Sequence, residues 1–206
     1  MRTRIGAAAL AATLICGLAA CDNASDFVPG PEPGPAKVDV DSPDLRALRR
    51  EAGVEPCQPG PGGGALPDLT LPCLGGGKDV DLSSLRGPMV LSFWAAWCDA
   101  CSVEMPALQK FYEEHGQQVP VVGIDWNDTY PGTALEQIRD RKVTYPSLAD
   151  PGGDTQGTTA FSRVGRGLPY LVLVDDKGKI AYEHLGGLDS ADEIADLVRE
   201  HLGVDL

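Results

Sequence analysis

Two cysteines separated by two residues, Cys98 and Cys101, carry the clearest chemistry in the sequence. They follow the apolar run 89–94, which is typical of a buried strand, and they open the segment 99–114, where apolar side chains recur at helical spacing. A thiol at the start of a helix meets free N–H groups and the positive end of the helix dipole, which favour the thiolate. We therefore expect Cys98 to attack disulfides, and Cys101, one turn further and more buried, to resolve the mixed disulfide.

The same spacing also occurs in zinc sites, so a four-cysteine zinc site that adds Cys57 and Cys73 is an alternative. A structural bridge between Cys98 and Cys101 in a non-catalytic binding module is another. The three histidines are scattered near the ends of predicted elements, and no metal cluster can be assembled from them. We expect the chemistry to need no metal and no organic cofactor.

The N-terminal sequence predicts an export signal. Two arginines, Arg2 and Arg4, precede the apolar run 5–20, which ends in small residues before Cys21. This ending resembles a bacterial lipobox, in which the signal is cut before the cysteine and the thiol carries lipid. Lipid on Cys21 would anchor the protein at the extracytoplasmic face of the cell membrane, where disulfides persist. An ordinary secretory peptide or an uncleaved anchor is the alternative.

Cys57 and Cys73 are the remaining separated pair, because Cys16 falls within the predicted signal and Cys21 is the predicted lipid acceptor. A bridge between them would close a loop of about 15 residues and would restrain the unfolded chain by about 3 kcal/mol. We expect a structural disulfide. A second redox pair is the less favoured interpretation, since neither thiol has a Cys-x-x-Cys neighbour.

Composition limits the remaining function classes. The chain has 206 residues, with 17 basic and 30 acidic side chains and a formal net charge of −13, which argues against binding to nucleic acid. A mean hydropathy of −0.11 excludes a polytopic membrane protein. We expect three parts: a signal over 1–20, a lipidated cysteine with a Pro/Gly-rich tether and a short helix over 21–64, and an α/β domain over 65–206.

Strands and helices alternate along the predicted domain, which indicates a mixed central sheet flanked by helices. Ser42 is predicted to cap a short helix that precedes the domain. Ser190 is predicted to cap the last helix, which stops at Gly203. The predicted strands are 79–82, 89–94, 119–124, 170–174 and 179–182, and the predicted helices within the domain are 99–114, 132–141 and 191–202.

Several of these motifs together resemble the thioredoxin-like proteins, and specifically the membrane-tethered TlpA-like group that includes cytochrome-c-maturation thioredoxins. The resemblance covers roughly 65–206, and it implies a thioredoxin-like fold with an N-terminal extension. The motifs that carry it are Trp94-Ala95-Ala96-Trp97-Cys98-Asp99-Ala100-Cys101, Glu104, Pro106, Tyr145-Pro146-Ser147-Leu148-Ala149-Asp150 and Gly167-Leu168-Pro169.

The resemblance also implies roles around the redox pair. Pro169 would be cis and would pack against the pair, and the backbone of Leu168 would pair with an extended substrate. Taken alone, Pro169 would be read as a proline at the start of a strand. Trp94, Trp97 and Tyr170 are expected to wall the substrate groove, although core packing would also explain Trp94.

Three residues modify this expectation. Ser92 stands where ordinary thioredoxins have a buried aspartate, so that proton shuttle is absent. Glu104 matches an acid of TlpA-like reductases and lies three residues after Cys101, on the same helix face, where it could take the thiol proton; a solvated helix acid is the alternative. The carboxylate of Asp99, next to Cys98, disfavours the thiolate and so favours a more reducing couple.

We therefore predict a monomeric, lipid-anchored thiol–disulfide oxidoreductase that reduces disulfides of exported proteins, with apocytochrome c as one candidate substrate. The resemblance implies that a membrane electron carrier re-reduces it. An oxidase that donates the Cys98–Cys101 disulfide is the alternative. A peroxiredoxin would need a Pro-x-x-x-Thr-x-x-Cys pattern, which the stretch 91–98 lacks.

Overall fold

The computed structural model describes residues 38–206. Four α-helices and seven strands lie in this part of the chain. The helices are α1 (Pro43–Ala52), α2 (Asp99–His115), α3 (Pro131–Asp140) and α4 (Ala191–Leu202), and the strands are β1 (Thr70–Leu71), β2 (Val80–Asp81), β3 (Met89–Trp94), β4 (Val121–Trp126), β5 (Ser147–Asp150), β6 (Tyr170–Val174) and β7 (Ile180–Leu185).

Five strands form one mixed sheet in the order β5-β4-β3-β6-β7. The pairs β3–β4 and β4–β5 are parallel, whereas β6 is antiparallel to both β3 and β7. The carboxyl ends of β3, β4 and β5 therefore lie at one edge of the sheet, and the amino end of β6 lies beside the carboxyl end of β3. The predicted mixed sheet is confirmed.

Two hydrophobic clusters cover the two faces of the sheet. Alternate residues of β3 enter different clusters, because successive side chains of a strand point to opposite faces. Val90 and Trp94 join the cluster that contains apolar residues of α2, α3 and α4. Leu91 and Phe93 join the second cluster, which also contains the fully buried Phe161 of a connecting segment.

Residues 38–64 pack on the domain. Leu45 and Leu48 of α1 contact α3 near Gly132, and the Glu55 N–H donates to the Thr144 carbonyl at 2.9 Å. Ser42 caps α1, with its hydroxyl accepting the Leu45 N–H at 3.4 Å. The predicted signal, Cys21 and the tether up to residue 37 lie outside the described residues. Within 38–206, no helix is both long and apolar enough to span a bilayer.

A disulfide joins Cys57 to Cys73, and both residues are buried, at 3% and 4% exposure. Cys57 forms an isolated bridge with Gly77, and Cys73 forms one with Leu148 of β5. The disulfide thus links the N-terminal segment to an edge strand of the main sheet.

We predict that the double substitution Cys57→Ala/Cys73→Ala lowers the free energy of unfolding by about 3 kcal/mol, because it releases a closed loop in the unfolded chain. Urea unfolding followed by circular dichroism measures this difference. The Cys98→Ala/Cys101→Ala variant is the matched control, since its shorter loop restrains the unfolded chain less. An equal or smaller loss in the Cys57/Cys73 variant would contradict a structural role.

Candidate active site

The second cysteine pair lies where β3 leads into α2. Cys98 is the N-cap residue of α2, and its sulfur accepts the Cys101 N–H at 3.1 Å. The two sulfurs form a disulfide in this structure. After reduction, the helix start provides backbone N–H groups and a favourable dipole to a thiolate at Cys98.

Both cysteines are buried, but Cys98 keeps more of its surface exposed than Cys101. Cys98 is 7% exposed, whereas Cys101 is 1% exposed and packs with Met105 and Leu108 in the core under α2. An incoming disulfide can therefore approach Cys98 before Cys101. This order agrees with a nucleophile followed by a resolving thiol.

The loop 95–98, which carries Cys98 and is called the redox loop below, is fixed to the loop after β4. The Ala96 N–H donates to the carboxylate of Asp128 at 2.9 Å, and the Trp97 indole N–H donates to the Asn127 carbonyl at 3.2 Å. Asp128 is nearly fully buried, and its second oxygen accepts the Tyr130 N–H at 2.8 Å. These hydrogen bonds were not predicted from the sequence. The signal that could have indicated them is the pair Asn127-Asp128, directly after a buried strand.

Pro169 follows a cis peptide bond with Leu168 and directly precedes β6. Phe93 of β3 pairs with Tyr170 of β6, so the next position along places Pro169 beside Trp94, where the redox loop begins. The Pro169 carbonyl accepts the Gly186 N–H at 3.0 Å. The topology thus brings 168–169 to the same sheet edge as the cysteine pair.

Tyr170 does not wall a groove. It is fully buried on the opposite face of the sheet, its ring lies 5.4 Å from that of Phe93, and its hydroxyl donates to Glu183. The expectation that it contacts substrate was wrong, because the first residue of β6 turns its side chain into the second cluster. Trp94 is also buried, at 1% exposure, so core packing accounts for it, whereas Trp97 is 56% exposed beside Cys98.

Glu104 is buried under α2, at 2% exposure, so it is not a solvated helix acid. Burial raises the pKa of its carboxyl to about 7, although the Leu188 N–H, at 3.0 Å, partly offsets the shift. The spacing of three residues places Glu104 on the helix face of Cys101. A carboxyl with this pKa can accept or release a proton near neutral pH.

Asp125 is a second buried acid that sequence reasoning missed, because β4 was predicted to end at Ile124. It pairs with Trp94 in the parallel ladder and so shares the sheet face beneath α2. Neither carboxyl oxygen has a hydrogen-bond partner among residues 38–206. Burial raises its pKa well above the ordinary value, and the nearby charges of Asp128 and Asp150 raise it further.

We predict that wild-type stability falls as the pH rises above the pKa of an unfolded aspartate, near 4, because Asp125 stays protonated only in the folded state. The slope from this one group is up to about 1.4 kcal/mol per pH unit. Urea unfolding from pH 4 to pH 8 should show that Asp125→Asn removes this contribution. The exposed Asp140→Asn is the matched control, and an identical pH dependence in Asp125→Asn would contradict a buried protonated acid.

Comparison with known families matches residues 63–183 to the AhpC/TSA family. The chain belongs to this family. Thioredoxin-like protein YneN of Bacillus subtilis is 31% identical over 143 residues, which cover 67% of this chain and 76% of the relative. Thiol-disulfide oxidoreductase ResA of Halalkalibacterium halodurans is 29% identical over 129 residues, covering 60% of this chain and 69% of the relative.

Solved structures agree on the fold. The thioredoxin domain of a thiol-disulfide oxidoreductase from Bacteroides vulgatus superposes with a TM-score of 0.55 at 25% identity, covering 66% of this chain and 97% of that domain. The fold is thus thioredoxin-like, and the TlpA-like resemblance is confirmed. With its Cys-x-x-Cys pair at the start of α2, the chain is a thiol–disulfide oxidoreductase, and 91–98 has no peroxiredoxin pattern.

Proposed function

We propose that this oxidoreductase is lipid-anchored at the extracytoplasmic face of the cell membrane and reduces disulfides of exported proteins, apocytochrome c among them. The observation that carries the redox part is the placement of Cys98 at the helix start with Cys101 and the buried Glu104 behind it. The compartment rests on the lipobox-like sequence that ends at Cys21.

The reaction proceeds by two exchanges. The Cys98 thiolate attacks one sulfur of a substrate disulfide; a Cys98–substrate disulfide forms, and the other substrate sulfur leaves as a thiolate. Cys101 then attacks Cys98 Sγ, the Cys98–Cys101 disulfide forms, and the second substrate sulfur leaves. The proton of Cys101 goes to the Glu104 carboxylate. Two electrons pass to the substrate.

A second turnover needs a dithiol donor. We propose that a membrane electron carrier supplies it by the reverse exchange at Cys98, which returns the pair to two thiols while the donor becomes a disulfide. Pro169 and Leu168, at the same sheet edge, position the substrate strand beside Cys98, and Trp97 supplies an exposed surface next to it.

The direction of electron flow rests on the residue after Cys98. Asp99 is exposed in the first turn of α2, and its carboxylate opposes a neighbouring thiolate. A less stabilised thiolate favours the disulfide form, so the couple is more reducing. An oxidase would need the opposite balance.

The reduction potential of the Cys98/Cys101 couple tests this direction. We expect the mature chain, equilibrated against dithiothreitol or glutathione, to titrate at roughly −270 mV or lower, near the value of thioredoxin. A value near the roughly −120 mV of the strongly oxidising exported thioredoxins would make the protein an oxidase. A pair that resists reduction throughout would indicate a structural bridge in a binding module.

Mass spectrometry of the membrane-extracted protein tests the anchor. We expect a mature N-terminus at a lipid-modified Cys21, and we expect Cys21→Ala to abolish partitioning into detergent. A mature N-terminus elsewhere would contradict the anchor and would leave the redox proposal intact.

A further inference from the structure

A small apolar cleft lies beside Trp97, the residue that precedes Cys98. Its volume is about 120 Å³, and it is lined by Ala96, Trp97, Asp128, Tyr130 and Thr133. Residues 38–206 expose four large hydrophobic side chains, and two of them, Tyr130 at 71% and Trp97 at 56%, line this cleft. Exposed aromatic side chains are characteristic of surfaces that bind polypeptides.

The walls of the cleft are held in place by the contacts that support the redox loop. The hydrogen bond from the Trp97 indole to the Asn127 carbonyl fixes the ring on one side. On the other side, Asp128 holds the backbone N–H of Tyr130. Both oxygens of Asp128 are thus occupied by backbone N–H groups, and its carboxylate is buried, so the cleft offers aromatic and methyl surface rather than a free charge.

The position of the cleft identifies its occupant, if the proposed function holds. A substrate joined to Cys98 by a mixed disulfide must run over the residues that surround this sulfur. Consecutive residues of an extended chain advance by about 3.3 Å, so a residue adjacent to the substrate cysteine reaches the surface of Trp97, the neighbour of Cys98. The cleft is continuous with that surface.

We propose that Trp97 and Tyr130 form a specificity cleft that binds a large apolar or aromatic side chain next to the reactive cysteine of a polypeptide substrate. The side chain packs between the two rings while Cys98 exchanges with the cysteine. Substrates of this class are extended or unfolded polypeptides, since a folded protein buries most such side chains.

Two disulfide-linked peptide dimers, identical except for phenylalanine or alanine after the cysteine, test this cleft. The pre-reduced mature chain is mixed with each dimer, and release of peptide thiol gives the rate of a single turnover. We expect the phenylalanine dimer to react about tenfold faster, the effect of roughly one good aromatic contact. In Tyr130→Ala this ratio should fall toward one, and Tyr130→Phe should retain it.

Val103→Ala is the matched control, because Val103 is 66% exposed on α2 and does not line the cleft. It should keep the wild-type ratio. An unchanged ratio in Tyr130→Ala, or an equal loss in Val103→Ala, would overturn the cleft. Failure of the wild-type chain to reduce either dimer would instead contradict the proposed function.

Discussion

Replacing Cys98 with serine is expected to lower disulfide-reductase activity by more than roughly 10³-fold, to the background rate of the assay. A serine hydroxyl does not ionise near neutral pH and cannot form a mixed disulfide, whereas the Cys98 sulfur lies at the start of α2, where the helix favours the thiolate. The change is close to isosteric, so the fold should persist.

Dithiothreitol-coupled reduction of insulin measures this loss. The Cys57→Ala/Cys73→Ala variant is the control, assayed well below its unfolding temperature, because its cysteines lie outside the redox loop and are joined to each other. It should keep most of the wild-type rate. Substantial activity in Cys98→Ser, or loss in the control despite a folded chain, would place the chemistry at the other pair.

Replacing Glu104 with glutamine should slow the resolving step by about 10²–10⁴-fold at neutral pH, the usual contribution of a positioned general base. In the wild-type chain the carboxyl has a pKa of about 7, so the rate should rise with pH below 7 and level off above it. Glutamine has no such titration, and the inflection should disappear. Quenched-flow decay of a mixed disulfide on Cys98 gives this rate at each pH.

The stability of the same variant separates proton transfer from a structural role. The raised pKa means that folded Glu104 binds more protons than unfolded Glu104 between about pH 4.5 and pH 7, so wild-type stability falls with pH across this window. Glu104→Gln should lack the part of the decline that Glu104 contributes, while the part from Asp125 remains, and its side-chain oxygen should still accept the Leu188 N–H. A resolving step with an unchanged pH profile would contradict a role for Glu104 as the base.

The local pattern of the sequence was sufficient for the centre of the site. The apolar run 89–94 predicted both ends of β3 correctly. A strand that is buried on both faces is apolar along its whole length, so the run itself marks where the strand begins and ends. Helical spacing placed Cys101 and Glu104 on one helix face, and the structure shows that this face is buried. These features depend on neighbours along the chain, and residue types and spacing report them directly.

The rest of the site depends on long-range pairing that spacing does not report. The strand β5 has four residues, two of them polar, and its pairing with β4 was not predicted. Asp125 and Asp128 were missed because their burial comes from packing against distant elements. Tyr170 was expected to wall the substrate groove, whereas its antiparallel pairing with Phe93 turns its side chain to the opposite face of the sheet.

Covalent trapping at Cys98 tests the central claim most directly. The reduced Cys101→Ser variant, in the mature chain, is mixed with a disulfide-linked peptide, and the product is analysed by mass spectrometry with peptide mapping. We predict one peptide per chain, attached at Cys98 and released by dithiothreitol, because the first exchange proceeds and the resolving thiol is missing. An adduct on Cys57 or Cys73, or no adduct on a folded chain, would contradict Cys98 as the attacking thiol.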